Sequence, residues 1–119
     1  MNGNVMSLLS KRFALRVVRL YCYLRDERHE YVMSKQLYRS GTSIGANIAE
    51  SVYAQSDADY ISKLSIALKE ASETLYWLEL LHESGNLTDA EADSIANDAR
   101  TIIGTLVNII KKMKSKGKL

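Results

Sequence analysis

With 119 residues the chain has the length of one domain, enough to bury a core without disulfide or metal staples. Its composition is 46% hydrophobic and 25% charged, ordinary for a globular protein, but zero proline and six glycines leave little to interrupt long helices. One cysteine, Cys22, and two isolated histidines exclude an internal disulfide and every recognisable metal-ligand spacing.

The N-terminus, MNGNVMSLLSKRFALRVV, lacks the basic-then-apolar order of a secretion signal. The most apolar stretch, Ile102 to Ile110, is too short and too interrupted to span a bilayer. The expectation is a soluble cytoplasmic domain over residues 1–119, without cofactor, metal or membrane. Its net charge of +2 hides a segregation: residues 1–55 sum to +4, residues 56–100 to −7 and residues 101–119 to +5. Such asymmetry suits an anionic partner, or lets the acidic part of one subunit meet the basic part of another.

In the first segment Phe13, Val17, Leu20 and Leu24 recur at steps that keep them on one helical face. Arg12, Arg16, Arg19 and Tyr23 follow the same steps one residue earlier, about 100° around the helix. A basic stripe therefore lies beside an apolar one. The polar cluster from Arg25 to Glu30 predicts a turn.

The second segment holds RSGTSIGANIAES, Arg39 to Ser51, with Leu37, Gly41, Ile44, Ile48 and Val52 at helical spacing. No strand-like run precedes it, and Gly45 is followed by Ala46-Asn47 instead of the lysine and hydroxyl of a phosphate loop. Glycine inside a helix costs about 1 kcal/mol against alanine, so two of them call for a compensating close approach. Gly41, Ile44, Gly45 and Ile48 are the predicted close-packing residues; the alternative is a kink or break at the glycines.

Ser56 with Asp59, and Gly85, predict the start and stop of a third helix. Between them Ile61, Leu64, Leu68, Ala71, Leu75 and Leu78 keep a 3.5-residue period, with His82 next in register. A second apolar line, Tyr60, Leu64, Ala67, Ala71, Leu78 and Leu81 with Trp77 nearby, widens that face and predicts a subunit contact. Thr88 and Glu91 open a fourth helix seamed by Ile95, Ala99, Ile102, Leu106, Ile109 and Met113 and ending in Lys111, Lys112, Lys114, Lys116 and Lys118. Four amphipathic segments with short polar turns predict an all-α, antiparallel up-down four-helix bundle.

Nothing in this pattern reads as catalysis. Asp57, Asp59, Asp89, Glu91 and Asp93 stand at helix starts, where carboxylates meet the positive end of the macrodipole. The di-iron bundles need a Glu-x-x-His on each of two helices, whereas only one occurs here, Glu79 to His82, and Cys22 between two tyrosines reads as a small buried hydrophobe. Glu50, beside the glycines, is read as an ion-pair partner of a basic residue on a neighbouring helix or subunit. An enzyme would need an interface pocket around Asn47 and Glu50. The candidate nucleic-acid-binding residues are Arg12, Arg16 and Arg19, whose register on a rigid helix suits backbone phosphates, with Lys111, Lys112, Lys114 and Lys116 adding salt-sensitive attraction.

The stretch YVMSKQLYRSGTSIGANIAES, followed by AQSDADYISKLSIALKEASETLYWLELLHESG, closely resembles the four-helix-bundle proteins associated with intervening sequences of 23S ribosomal RNA genes. The likeness runs from about Lys11 through Gly85, and its most specific part is Ser-Ile-Gly-Ala-Asn-Ile-Ala-Glu at Ser43 to Glu50. This resemblance implies a small cytoplasmic bundle that assembles into a homopentamer and has no established enzymatic activity. The predicted fold is also similar to the accessory protein of diversity-generating retroelements, a basic pentamer that binds nucleic acid and the reverse transcriptase. The reading is therefore a non-catalytic homo-oligomer with RNA or DNA as partner; the alternative is a scaffold for other proteins that does not bind nucleic acid.

Overall fold

The computed structural model describes residues 2–117, so Lys118 lies outside the described residues. Four helices follow one another: α1 (Asn2–Asp26), α2 (Met33–Ser51), α3 (Asp57–Glu83) and α4 (Asp89–Gly117). They form a rod of 51 × 22 × 21 Å. Each helix packs on its neighbours in sequence, and α4 closes the ring on α1 along the thinnest seam; among the described residues the backbones of the diagonal pairs stay apart. The short connections make all neighbours antiparallel. The start of α1, the α2–α3 turn and the end of α4 therefore share one end of the rod.

Local chemistry fixes the ends of the helices. The Ser56 hydroxyl accepts from the Asp59 backbone N–H at 3.1 Å, while the Asp59 carboxylate accepts from the Gln55 N–H at 3.1 Å. At α4 the capping box is reciprocal: Thr88 N–H donates to Glu91 Oε1 at 2.8 Å and Glu91 N–H donates to Thr88 Oγ1 at 3.1 Å. The Thr88 N–H in turn holds the Glu91 carboxyl below its ordinary pKa. Gly85 stops α3 with φ +82, a left-handed conformation that a side chain would strain. Gly85 N–H then reaches His82 O at 3.0 Å and Asn86 N–H reaches Leu81 O at 2.8 Å, satisfying carbonyls that the helix end leaves open.

The turn predicted at Arg25 to Glu30 begins later, because α1 continues to Asp26. Glu30 is the cap of α2: its carboxylate accepts from Met33 N–H at 3.1 Å and from Ser34 N–H at 2.6 Å. A glutamate reaching forward across the first turn has no simple sequence signature, which is why the spacing did not single it out. Arg28 donates to Gly85 O at 2.5 Å, tying the α1–α2 and α3–α4 turns together.

The core is a file of Phe13, Val17 and Leu24 from α1, Leu37, Ile44 and Ile48 from α2, Leu64, Leu78 and Leu81 from α3, and Ile102 and Leu106 from α4, all at most 2% exposed. Each such side chain contributes about 1.5–3 kcal/mol by leaving water. On α3 the fully buried line is Leu64, Ala67, Ala71, Thr74, Leu78 and Leu81, close to the second line read in the sequence. Ile61, Leu68 and Leu75 from the first line are only partly buried. The sequence pattern missed Thr74, whose hydroxyl donates to Glu70 O at 2.8 Å and accepts from the Ser40 hydroxyl at 2.9 Å, so α3 meets α2 through a satisfied polar pair. Val52, expected to extend the α2 stripe, lies beyond the helix end and is 63% exposed.

Candidate nucleic-acid interface

The basic residues are gathered by topology. From Asn2 to Arg25, α1 carries Lys11, Arg12, Arg16, Arg19 and Arg25 and no carboxylate; from Ala99 onward α4 carries Arg100, Lys111, Lys112, Lys114 and Lys116 and no carboxylate. These acid-free lengths belong to antiparallel neighbours, so they lie side by side toward one end of the rod. Lys11, Arg12, Lys111, Lys112, Lys114 and Lys116 are all exposed there. Lys11 and Arg100 were absent from the residues singled out by helical register; the run of sequence without Asp or Glu was the signal that would have found them.

The three arginines of the α1 stripe have different surroundings. Arg16 leans across the seam onto α4, donating to Asp98 Oδ2 at 2.6 Å, to Ser94 Oγ at 2.9 Å and to Ser94 O at 3.3 Å. Its guanidinium is engaged within the chain. Arg12 and Arg19 are exposed and have no ion-pair partner among the described residues. The Arg16–Asp98 bridge spans a thin seam with openings on either side. One is a cavity of about 510 Å³ between Arg19, Tyr23, Ser94 and Ile95, and the other a cavity of about 190 Å³ beside Arg12, Phe13 and Thr101.

Carboxylates dominate the outer side of α3 and are partly neutralised by α2. Arg39 pairs with Glu73 and, at 3.4 Å, with Glu70. Trp77 Nε1 donates to Glu73 at 3.1 Å, and this bond, with Arg39 beside it, keeps the Glu73 carboxyl below its ordinary pKa. Glu50 is paired with Lys63 of α3 at 3.0 Å, as expected of an ion-pair partner, and the bond raises the lysine pKa. The Asn47 amide donates to Ser43 O at 2.9 Å. The rod is thus basic along the α1/α4 end and acidic along α3.

The glycines sit inside an unbroken α2 and both face α1. A Cβ on Gly41 would stand 2.7 Å from Val17 Cγ2, whereas a Cβ on Gly45 would stand 3.4 Å from the backbone oxygen of Ser10. Ile44 and Ile48 point into the core, both at most 1% exposed. Next to Gly45 a shallow groove of about 290 Å³ runs between α1 and α2, lined by Ser7, Ala14, Thr42, Gly45, Ala46 and Ala49 among others. Leu8 and Leu15, about half exposed, continue this apolar surface along α1.

Among the described residues no group of three His, Cys, Asp or Glu side chains is placed to hold a metal ion, and no helix is long and apolar enough to cross a membrane. No curated protein matches the chain. A crystal structure of a protein with unknown function from the S23 ribosomal protein family, from Bacteroides thetaiotaomicron VPI-5482, is similar at 55% identity and a TM-score of 0.92, over 93% of this chain and 99% of that one. The family model for the 23S rRNA-intervening sequence protein matches residues 5–108, which include all of α2 and α3 and most of α1 and α4; the chain belongs to that family.

Proposed function

We propose that this protein is a non-catalytic, cytoplasmic, homo-oligomeric bundle that binds RNA or DNA through the basic end formed by α1 and α4. The observation that carries the reading is the juxtaposition of the two carboxylate-free lengths, Asn2 to Arg25 and Ala99 onward. Phosphate contacts need cations that are not already neutralised. Arg12 and the α4 lysines meet that condition at this end and Arg19 meets it farther along α1, whereas Arg16 serves the fold. The family's association with 23S rRNA-intervening sequences supports RNA as the first partner to try.

Assembly multiplies the same surface. The groove beside Gly45, with Leu8 and Leu15 next to it, offers apolar area for a second copy, and a head-to-tail contact through it closes into a ring while leaving the basic ends free. The family resemblance implies five subunits. Several basic ends in one ring then act together by effective concentration. A mobility-shift assay with structured RNA tests the reading: the wild type retards the probe, and Lys111→Glu with Lys112→Glu weakens binding for every sequence alike. Absence of retardation at low salt supports the scaffold reading, for which the same apolar groove would seat another protein.

A further inference from the structure

We propose that Tyr53 is a stacking platform for an unpaired base, so that the basic end of the bundle takes single-stranded or looped nucleic acid in preference to a continuous duplex. This inference rests on the nucleic-acid reading above and narrows it to one class of substrate. Tyr53 is 86% exposed, beside Val52 at 63%. A single exposed ring is ordinary on a protein surface; what sets Tyr53 apart is that its turn shares one end of the rod with the α4 lysines.

The turn that carries Tyr53 is braced on both sides. Tyr53 N–H donates to Glu50 O at 3.0 Å and Ala54 N–H donates to Ser51 O at 3.1 Å, while the Ser56–Asp59 cap and the Gln55–Asp59 bond fix the following residues. The ring is therefore presented from an ordered backbone, which lowers the entropy lost when a flat ligand covers it. Of the three neighbouring carboxylates, Glu50 pairs with Lys63 and Asp59 caps the turn, while the exposed Asp57 stands at the positive end of the α3 macrodipole.

Charge identifies the occupant. The α2–α3 turn shares its end of the rod with Lys111, Lys112, Lys114 and Lys116, and the rod is only 22 × 21 Å in cross-section. A strand whose phosphates follow the α4 lysines needs only a few nucleotides to bring a base to Tyr53. Aromatic side chains beside a cationic track bind single strands because every unpaired base has an exposed π-face. A duplex buries those faces between its own base pairs and offers Tyr53 nothing to stack on.

The test measures, by fluorescence anisotropy, binding of the 119-residue chain to a short labelled oligouridine and to a fully paired labelled RNA duplex. Tyr53→Ala is expected to weaken oligouridine binding by roughly five-fold or more while leaving duplex binding, melting temperature and oligomeric state unchanged; Tyr53→Trp is expected to retain or improve it. Equal affinity of wild type and Tyr53→Ala for oligouridine overturns the stacking role. So does full retention in Tyr53→Leu, which would mark a merely apolar contact, or a changed oligomeric state in Tyr53→Ala, which would mark a subunit contact. If the wild type binds neither probe, both the nucleic-acid reading and its narrowing fail; if it binds both and only the tyrosine variants are silent, the broader reading stands and the stacking role falls.

Discussion

At Gly41 and Gly45 the same residue type meets two different constraints. A methyl at Gly41 would press into the branched methyls of Val17, at 2.7 and 2.9 Å. Overpacking of about 1–3 kcal/mol outweighs the helix gain of about 1 kcal/mol, so Gly41→Ala is expected to lower stability in chemical denaturation. Val17→Ala should recover part of that loss in the double variant. At Gly45 the contact is 3.4 Å, so Gly45→Ala is expected to be neutral or stabilising, whereas a long side chain there fills the α1/α2 groove and should disturb assembly as read by light scattering. Arg16 belongs to the same scale: because it holds Asp98 and Ser94, Arg16→Ala is expected to cost about 0.5–1 kcal/mol, the pair being largely exposed. A double-mutant cycle with Asp98→Ala should return a matching coupling. Loss of nucleic-acid binding in Arg16→Glu would mix a fold effect with a contact effect, so Arg12 and Arg19 are the informative positions on α1.

Most of each helix is legible in the sequence. Ser56–Asp59, Thr88–Glu91 and Gly85 mark boundaries because capping is local chemistry, and the α4 seam from Ile95 to Ile109 is buried as its period requires. Register on α3 was less legible: it touches α2 on one side and α4 on the other, and a hydroxyl, Thr74, completes the buried line where a hydrophobicity pattern sees a gap. The partner of Arg16 was not legible either, because Asp98 is distant in sequence and only the antiparallel closure of α4 on α1 brings it near. His82 shows the same dependence on neighbours. Placed by its period on an apolar seam, it instead meets Asp89 Oδ1 at 2.5 Å. This bond, with Asp93 and Glu83 nearby, raises its pKa above 6.5, and Glu79 and Arg100 border the same depression. The raised folded pKa means that the protonated pair stabilises the α3–α4 junction fully below the ordinary imidazole value and loses that contribution as pH rises through the folded one. Wild type is accordingly expected to melt higher than His82→Gln in mildly acid buffer, with the difference shrinking at alkaline pH.

For the whole molecule, the segregation of charge from +4 through −7 to +5 along the chain becomes a spatial one when α1 and α4 fold side by side. On α3, Ile66 and Tyr76 are exposed and Ile61, Leu68, Leu75 and Trp77 only partly buried, while α1 exposes Val5, Leu8 and Leu15, so both the α3 face and the α1/α2 groove offer apolar area for the proposed subunit contact. Light scattering at micromolar concentration is expected to give a multiple of the 13.4 kDa chain mass. The measurement that tests the central claim most directly is the salt dependence of RNA affinity. Lysines and arginines on phosphates release counterions, so the logarithm of the association constant should fall linearly with that of salt concentration, with a slope that grows with the number of phosphates contacted. The account predicts a steep slope for the wild-type oligomer and a shallower one after Lys111→Glu and Lys112→Glu. A flat salt profile, or no binding of structured or single-stranded RNA at low salt, would contradict it.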